Sequence, residues 1–197
     1  MTPESLLGIG VGLALAAAAG FRVFVPLLVL SLAARAGWVE LSPSFAWLST
    51  TAASLALGTA TVLEVAAYYV PFFDNMLDTL SAPVAVLAGI VASASILTDL
   101  PPWLQYSIAI IGAGGTAGVV HASTSLLRLK SSAATAGLGN PILATLELGG
   151  SIAIAVLALL APLLALAAVA LIVWVVARRV SAWRLANARN AAQSSTR

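Results

Sequence analysis

Residues 141–177, PILATLELGGSIAIAVLALLAPLLALAAVALIVWVVA, carry a single charge, Glu147. A helix needs about 20 apolar residues to cross a hydrocarbon core of roughly 30 Å, so this stretch is too long for one crossing. Pro162 divides it into a tight hairpin of 141–161 and 162–177. Its natural solvent is lipid. Working outward, charge-free runs recur over 5–21, 41–63, 79–98, 100–127 and 131–146, and Arg22 and Glu64 are lone interruptions like Glu147.

The whole chain obeys the same rule. Its 197 residues are 61% hydrophobic and 8% charged, whereas soluble domains run roughly 45–50% apolar and about 25% charged. So few charges exclude a cytosolic enzyme, a nucleic-acid binder and a disordered chain. The absence of cysteine excludes a disulfide framework, a thiolate metal site and a thiol nucleophile.

Prolines and capping residues set the boundaries. Ser42-Pro43, Ser81-Ala82-Pro83 and Asn140-Pro141 each predict a helix start, and Asp99-Leu100-Pro101-Pro102 a turn. The expected fold is an all-α polytopic transmembrane bundle of about six spans, 5–35, 46–70, 82–98, 103–128, 141–161 and 162–177, with a basic tail over 178–197. The first span is awkward, because its length corresponds to about 46 Å of helix. With Gly20, Arg22 and Pro26 at its middle, it is either strongly tilted or broken around 19–22. The uncharged stretch 131–139 is a second irregularity, a loop able to dip back where protein covers it. A cleaved signal peptide is disfavoured, since Glu4 is the only charge ahead of the first apolar run and a signal needs basic residues there.

With six spans and the N-terminus inside, Arg128, Lys130, Arg178, Arg179, Arg184, Arg189 and Arg197 fall on the cytoplasmic side and only Arg35 outside. Trp38, Trp47 and Trp103 then mark the outer interface, and Trp174 and Trp183 the inner one. Both termini are expected in the cytoplasm, the tail lying on anionic lipid rather than on nucleic acid. Three spans on each side of 99–102 would make any repeat inverted, although only Leu63-Glu64 and Leu146-Glu147 match.

Four ionisable residues lie within spans: Arg22, Glu64, His121 and Glu147. Each buried charge costs about 2.5–3.5 kcal/mol at a helix centre, which disfavours a solitary one. At about 1.5 Å per residue, Arg22 lies ~3 Å from the middle of its span. On the same scale Glu64, His121 and Glu147 lie ~9, ~8 and ~6 Å to the cytoplasmic side of the midplane. Polar stripes agree with this level: Ser54, Thr61, Glu64, Tyr68 on one span, Gly114, Gly118, His121, Ser125, Arg128 on another, and Asn140, Ala144, Glu147, Ser151 on a third. Gly8, Gly12, Ala19, Arg22 and Pro26 form a face of mostly small residues on the first.

Convergence of Arg22, Glu64, His121 and Glu147 would give a site of net charge −1, suited to one proton or one small cation. Asp74, Asp78 and Asn140 would sit at its cytoplasmic mouth. The competing reading is that the stripes only glue helices together. No catalytic or cofactor motif is present: Gly112-Ala113-Gly114-Gly115-Thr116-Ala117 lacks a βαβ context, and Ser123 to Ser125 beside His121 point different ways on a helix. One histidine argues against a multi-histidine metal centre.

Gly20-Phe21-Arg22 with Pro26, Glu64 followed by Pro71, Asp74, Asp78 and Pro83, His121, and Gly137-Leu138-Gly139-Asn140-Pro141 leading to Glu147 resemble a domain-of-unknown-function family of small bacterial integral membrane proteins. The similarity covers about 5–175. It implies a bacterial inner-membrane protein and supplies no reaction, substrate or cofactor. The leading expectation is a small transporter or permease, coupled to protons or cations through the intramembrane carboxylates, with Arg22 as counter-ion or anion-binding group. A non-transporting scaffold and an intramembrane enzyme acting on lipid are the alternatives. Expected partners are the bilayer, anionic lipid at the tail and a small solute or cation; a homo-oligomer stays open.

Overall fold

A computed structural model describes residues 3–69 and 73–165, with 167, 169–171, 174 and 178; side chains are described at all of these except 73–79. Among the described residues the chain is predominantly helical and contains no strand. The elements are α1 (Pro3–Phe21), α2 (Phe24–Arg35), a 3-10 turn (Pro43–Ser49), α3 (Thr51–Tyr68) and α4 (Phe73–Ile96). A continuous run follows, made of α5 (Pro102–Ser107), a π-helical stretch (Ile108–Ala113) and α6 (Gly114–Thr135), and then α7 (Asn140–Leu160). Four helical segments are long and apolar enough to cross a membrane: α1, α3, the run Pro102–Thr135 and α7. The chain is built as a membrane protein.

Helix α1 is the hub. From Gly10 to Gly20 every residue but Leu13 is buried, because glycine and alanine let α4, α6 and α7 approach its backbone closely. Gly20 shows how little room remains: a β-carbon there would lie 2.6 Å from Val120 Cβ and 2.7 Å from the Ala117 carbonyl oxygen. Gly20→Leu is therefore expected to lower stability by at least about 1–3 kcal/mol, the usual cost of overpacking. Gly115→Leu, where no atom lies within 4 Å of an added β-carbon, should be near neutral. Thermal melts of the two variants in detergent check the pair.

The packing partners fix helix directions. Gly8 faces Leu97, Gly12 faces Ser93 and Gly89 faces Ala16, so α1 and α4 are antiparallel. Gly114 faces Ile90 and Gly118 faces Val86, which sets α6 antiparallel to α4. Ser151 on α7 donates its hydroxyl to the Ala18 carbonyl at 2.9 Å.

The stretch 5–35 is not one tilted helix. It breaks after Phe21, and the chain reverses. The N-terminal end of α2 meets Glu64 near the end of α3, while Ser31, two turns on, bonds to Leu48 at 2.6 Å and to Ser54 at 2.8 Å. Ser42 N–H then reaches the Ser95 carbonyl at 2.8 Å, at the end of the bundle where α1 begins. Helices α1 and α2 thus form a hairpin whose return arm has 12 residues, about 18 Å of rise.

Other boundaries also moved. Ser81-Ala82-Pro83 starts no helix, since Pro83 lies inside α4; neighbouring helices allow a membrane helix to carry proline internally. Pro43 opens the 3-10 turn, and Thr50 caps α3 by accepting from Ala53 N–H at 3.2 Å. The dip expected over 131–139 is mostly helix. Only after Thr135 does the chain turn, through Ala136 and Gly137 in the left-handed region at φ 52° and 87°. Among the described residues the first half contains the α1–α2 hairpin and the second an unbroken Pro102–Thr135. The basic tail from 179 onward lies outside the described residues.

Candidate functional site

The site grows from the break in the first helix. Arg22 N–H makes the last α1 bond, to Ala18 O at 3.0 Å. A continuous helix would next pair Val23 and Phe24 N–H with carbonyls four residues back. Instead, Glu64 Oε1 accepts from Val23 N–H at 2.7 Å and its Oε2 from Phe24 N–H at 3.1 Å. Pro26, which lacks an N–H, would leave the Arg22 carbonyl unpaired in any continuous version. A carboxylate on α3 therefore caps α2 from inside the protein and also complements the positive end of its dipole.

Arg22 itself is 1% exposed. Its Nη2 donates to the Ala144 carbonyl at 2.9 Å and lies 3.7 Å from Glu147 Oε2. Arg128 grips the same carboxylate: Nε donates to Glu147 Oε1 at 3.0 Å, and Nη2 pairs with Oε2. Both guanidinium groups stack on Tyr68, their central carbons 4.0 Å (Arg22) and 3.9 Å (Arg128) from the ring centroid. Each such contact contributes up to about 2 kcal/mol when desolvated. Arg22 Nε and Nη1, both buried, donate no hydrogen bond.

Of the expected set, the structure joins Arg22 and Glu147 directly and places Glu64 on the adjoining backbone. His121 is buried on the same helix as Arg128, seven residues earlier, about 10 Å along the axis. It lines a hollow of about 420 Å³ between α4 and α6 with Pro83, Val86, Gly118 and Ser125. Glu64 borders another, of about 470 Å³, with Val23, Phe24, Leu63, Ser81 and Val84. Asn140 is buried at the start of α7 and donates to Ser132 Oγ at 2.8 Å. Asp74 and Asp78 belong to the first turns of α4, and their side chains lie outside the described residues.

Two participants lie outside the expected set of four. Arg128, expected both among the cytoplasmic bases and on the stripe of His121, is 3% exposed. Tyr68 was read as one more member of a stripe. The available signal was spacing: Tyr68 follows Glu64 by four residues and Arg128 follows His121 by seven, so each pair shares a helical face. With Arg128 included, two arginines balance Glu64 and Glu147, and the expected net charge of −1 becomes zero. No group of three or more histidine or acidic side chains able to hold a metal occurs among the described residues.

No curated protein and no solved structure matches the chain. A family model does match, over residues 9–182, well beyond half its length. The chain belongs to that family, described as a domain of unknown function, DUF4126.

Proposed function

We propose that the protein is a small transporter in which a proton is coupled to solute movement through Glu147. The observation that carries this reading is Arg22, fully enclosed yet with two N–H-bearing atoms that donate no hydrogen bond. A buried donor without a partner is costly, and a cluster serving only to hold helices together would have no use for it. The setting supports the same reading, for broken helices with charged groups at the break are where many transporters bind their substrates. The charge balance moves the reading away from a cation site, because Glu147 is already engaged by two arginines and Glu64 by two backbone N–H groups.

In this reading the end carrying 128–140 faces the cytoplasm, where Lys130 weighs by the positive-inside rule. The hairpin then puts Pro3 at the outer face, opposite to the side expected from a single crossing of 5–35. The stretch expected as one span, 5–35, then becomes two passes, of which α2 is too short to cross by itself. A bacterial inner membrane suits this arrangement.

The scaffold reading has one observation in its favour: Glu147 is 6% exposed and paired on both oxygens. Proteoliposomes containing a trapped pH dye separate the two. Addition of small organic anions, cations or neutral solutes is expected to produce a pH change inside for at least one class, lost in Arg22→Gln. No response from any class, in protein that melts cooperatively, would favour the scaffold.

A further inference from the structure

We infer that the Arg22–Arg128 pair is a binding site for a small oxyanion, carboxylate or phosphate-like, whose place is held in this structure by the carboxylate of Glu147. The inference rests on the transport reading and names its substrate class.

The geometry is that of anion recognition. Arg128 presents Nε and Nη2 side by side to both oxygens of one carboxylate, the fork by which arginine recognises carboxylates and phosphates. Arg22 approaches the same carboxylate from a second direction and has donors at Nε and Nη1 left over. Tyr68 fixes the plane of both guanidinium groups, so little ordering remains when an anion arrives. The neighbouring backbone repeats the theme, for the N–H groups opening α2 also hold a carboxylate, that of Glu64. Two positions suited to anions are thus both occupied by the chain's own acids.

Exchange follows from charge. When Glu147 takes up a proton it becomes neutral and a poor partner for two arginines. An external oxyanion then replaces it, and one proton enters with one negative charge. Arg22 at the α1–α2 junction and Arg128 on α6 hold Glu147 directly. On α3, Tyr68 stacks on both arginines and Glu64 holds the backbone next to Arg22. His121 lies two turns before Arg128 on α6, and α4 carries Asp74 and Asp78 on the segment whose side chains are not described. Arg22, Arg128 and Glu64 alone sum to +1, matched by a monoanion.

The test is titration of the full chain in detergent with acetate, benzoate or inorganic phosphate, followed by calorimetry and by thermal melting. In the wild type, anion affinity is expected to rise as pH falls, by as much as about tenfold per pH unit, the limit for one linked proton. Glu147→Gln should bind more tightly and lose the pH dependence, and the anion should raise its melting temperature. Arg128→Lys, which keeps the charge but loses the fork, should weaken binding tenfold or more while remaining folded. Mixed micelles containing phosphatidylglycerol form a second arm: competition between this lipid and phosphate assigns the oxyanion to a headgroup, and its absence assigns it to a soluble solute. Either result upholds the site. Equal, pH-dependent binding in wild type and Glu147→Gln overturns it, as does a lack of binding by every anion and the lipid. Anion binding without flux in liposomes would overturn the transport reading and leave the site intact. Flux of a neutral or cationic solute, insensitive to Arg128→Lys, would do the reverse.

Discussion

Glu64→Ala is expected to destabilise the protein by about 3–6 kcal/mol, from two charge-assisted hydrogen bonds at roughly 1.5–3 kcal/mol each. The size follows from where the bonds lie. Val23 N–H and Phe24 N–H open α2 inside the bundle, with Val23 3% exposed, so water cannot readily take over from the lost carboxylate. Nor can the backbone rescue itself by extending α1, because Pro26 has no N–H to offer the Arg22 carbonyl and its ring would clash there. Glu64→Gln keeps one acceptor and turns an amide N–H toward the other donor, so it should lose about half as much. Equilibrium unfolding of the three proteins in mixed micelles measures the series. An alanine variant within about 1 kcal/mol of wild type would mean that Glu64 does not cap α2.

This dependence explains what the sequence disclosed and what it hid. The stripes were legible because a polar side chain on an apolar helix must turn away from lipid. On α3 the buried residues are Ala53, Ser54, Glu64 and Tyr68; on α7 they include Asn140, Ala144, Glu147 and Ser151. Depth arithmetic put Glu64 and Glu147 near one level, and the structure links both to the segment Arg22–Phe24. The break near Arg22 was one of two readings open from Gly20 and Pro26. The reversal was hidden, since it depends on an acid 41 residues away along the chain. Arg128 was legible only in part, as the last member of the His121 stripe. A base at the end of a hydrophobic run looks like a flanking charge, and only the opposing helices α3 and α7, which bring Tyr68 and Glu147, bury it. Helix α4 shows the converse error, a local signal overridden: Pro83 marked a start, but the helix begins at Phe73.

Glu147→Leu is expected to cost about 3–5 kcal/mol, the usual penalty for breaking a buried ion pair from one side. The penalty comes less from losing attraction than from leaving Arg128 and Arg22, 3% and 1% exposed, without their shared anion. It follows that a second substitution should restore stability. Arg128→Leu removes the guanidinium that grips Glu147 most directly, and the double variant should recover a large part of the loss, with a coupling of about 1–3 kcal/mol in a double-mutant cycle. Recovery should stop short of wild type, because Arg22 remains and keeps only the Ala144 carbonyl and the face of Tyr68. A further Arg22→Leu should then add stability to the double variant although it would harm the wild type. This change of sign separates an electrostatic cluster from ordinary packing, since a cavity left by a lost side chain does not close when its neighbours are cut away as well. If the three substitutions prove additive, the arginines and Glu147 do not form one unit, and the anion exchange argued from their geometry has no basis.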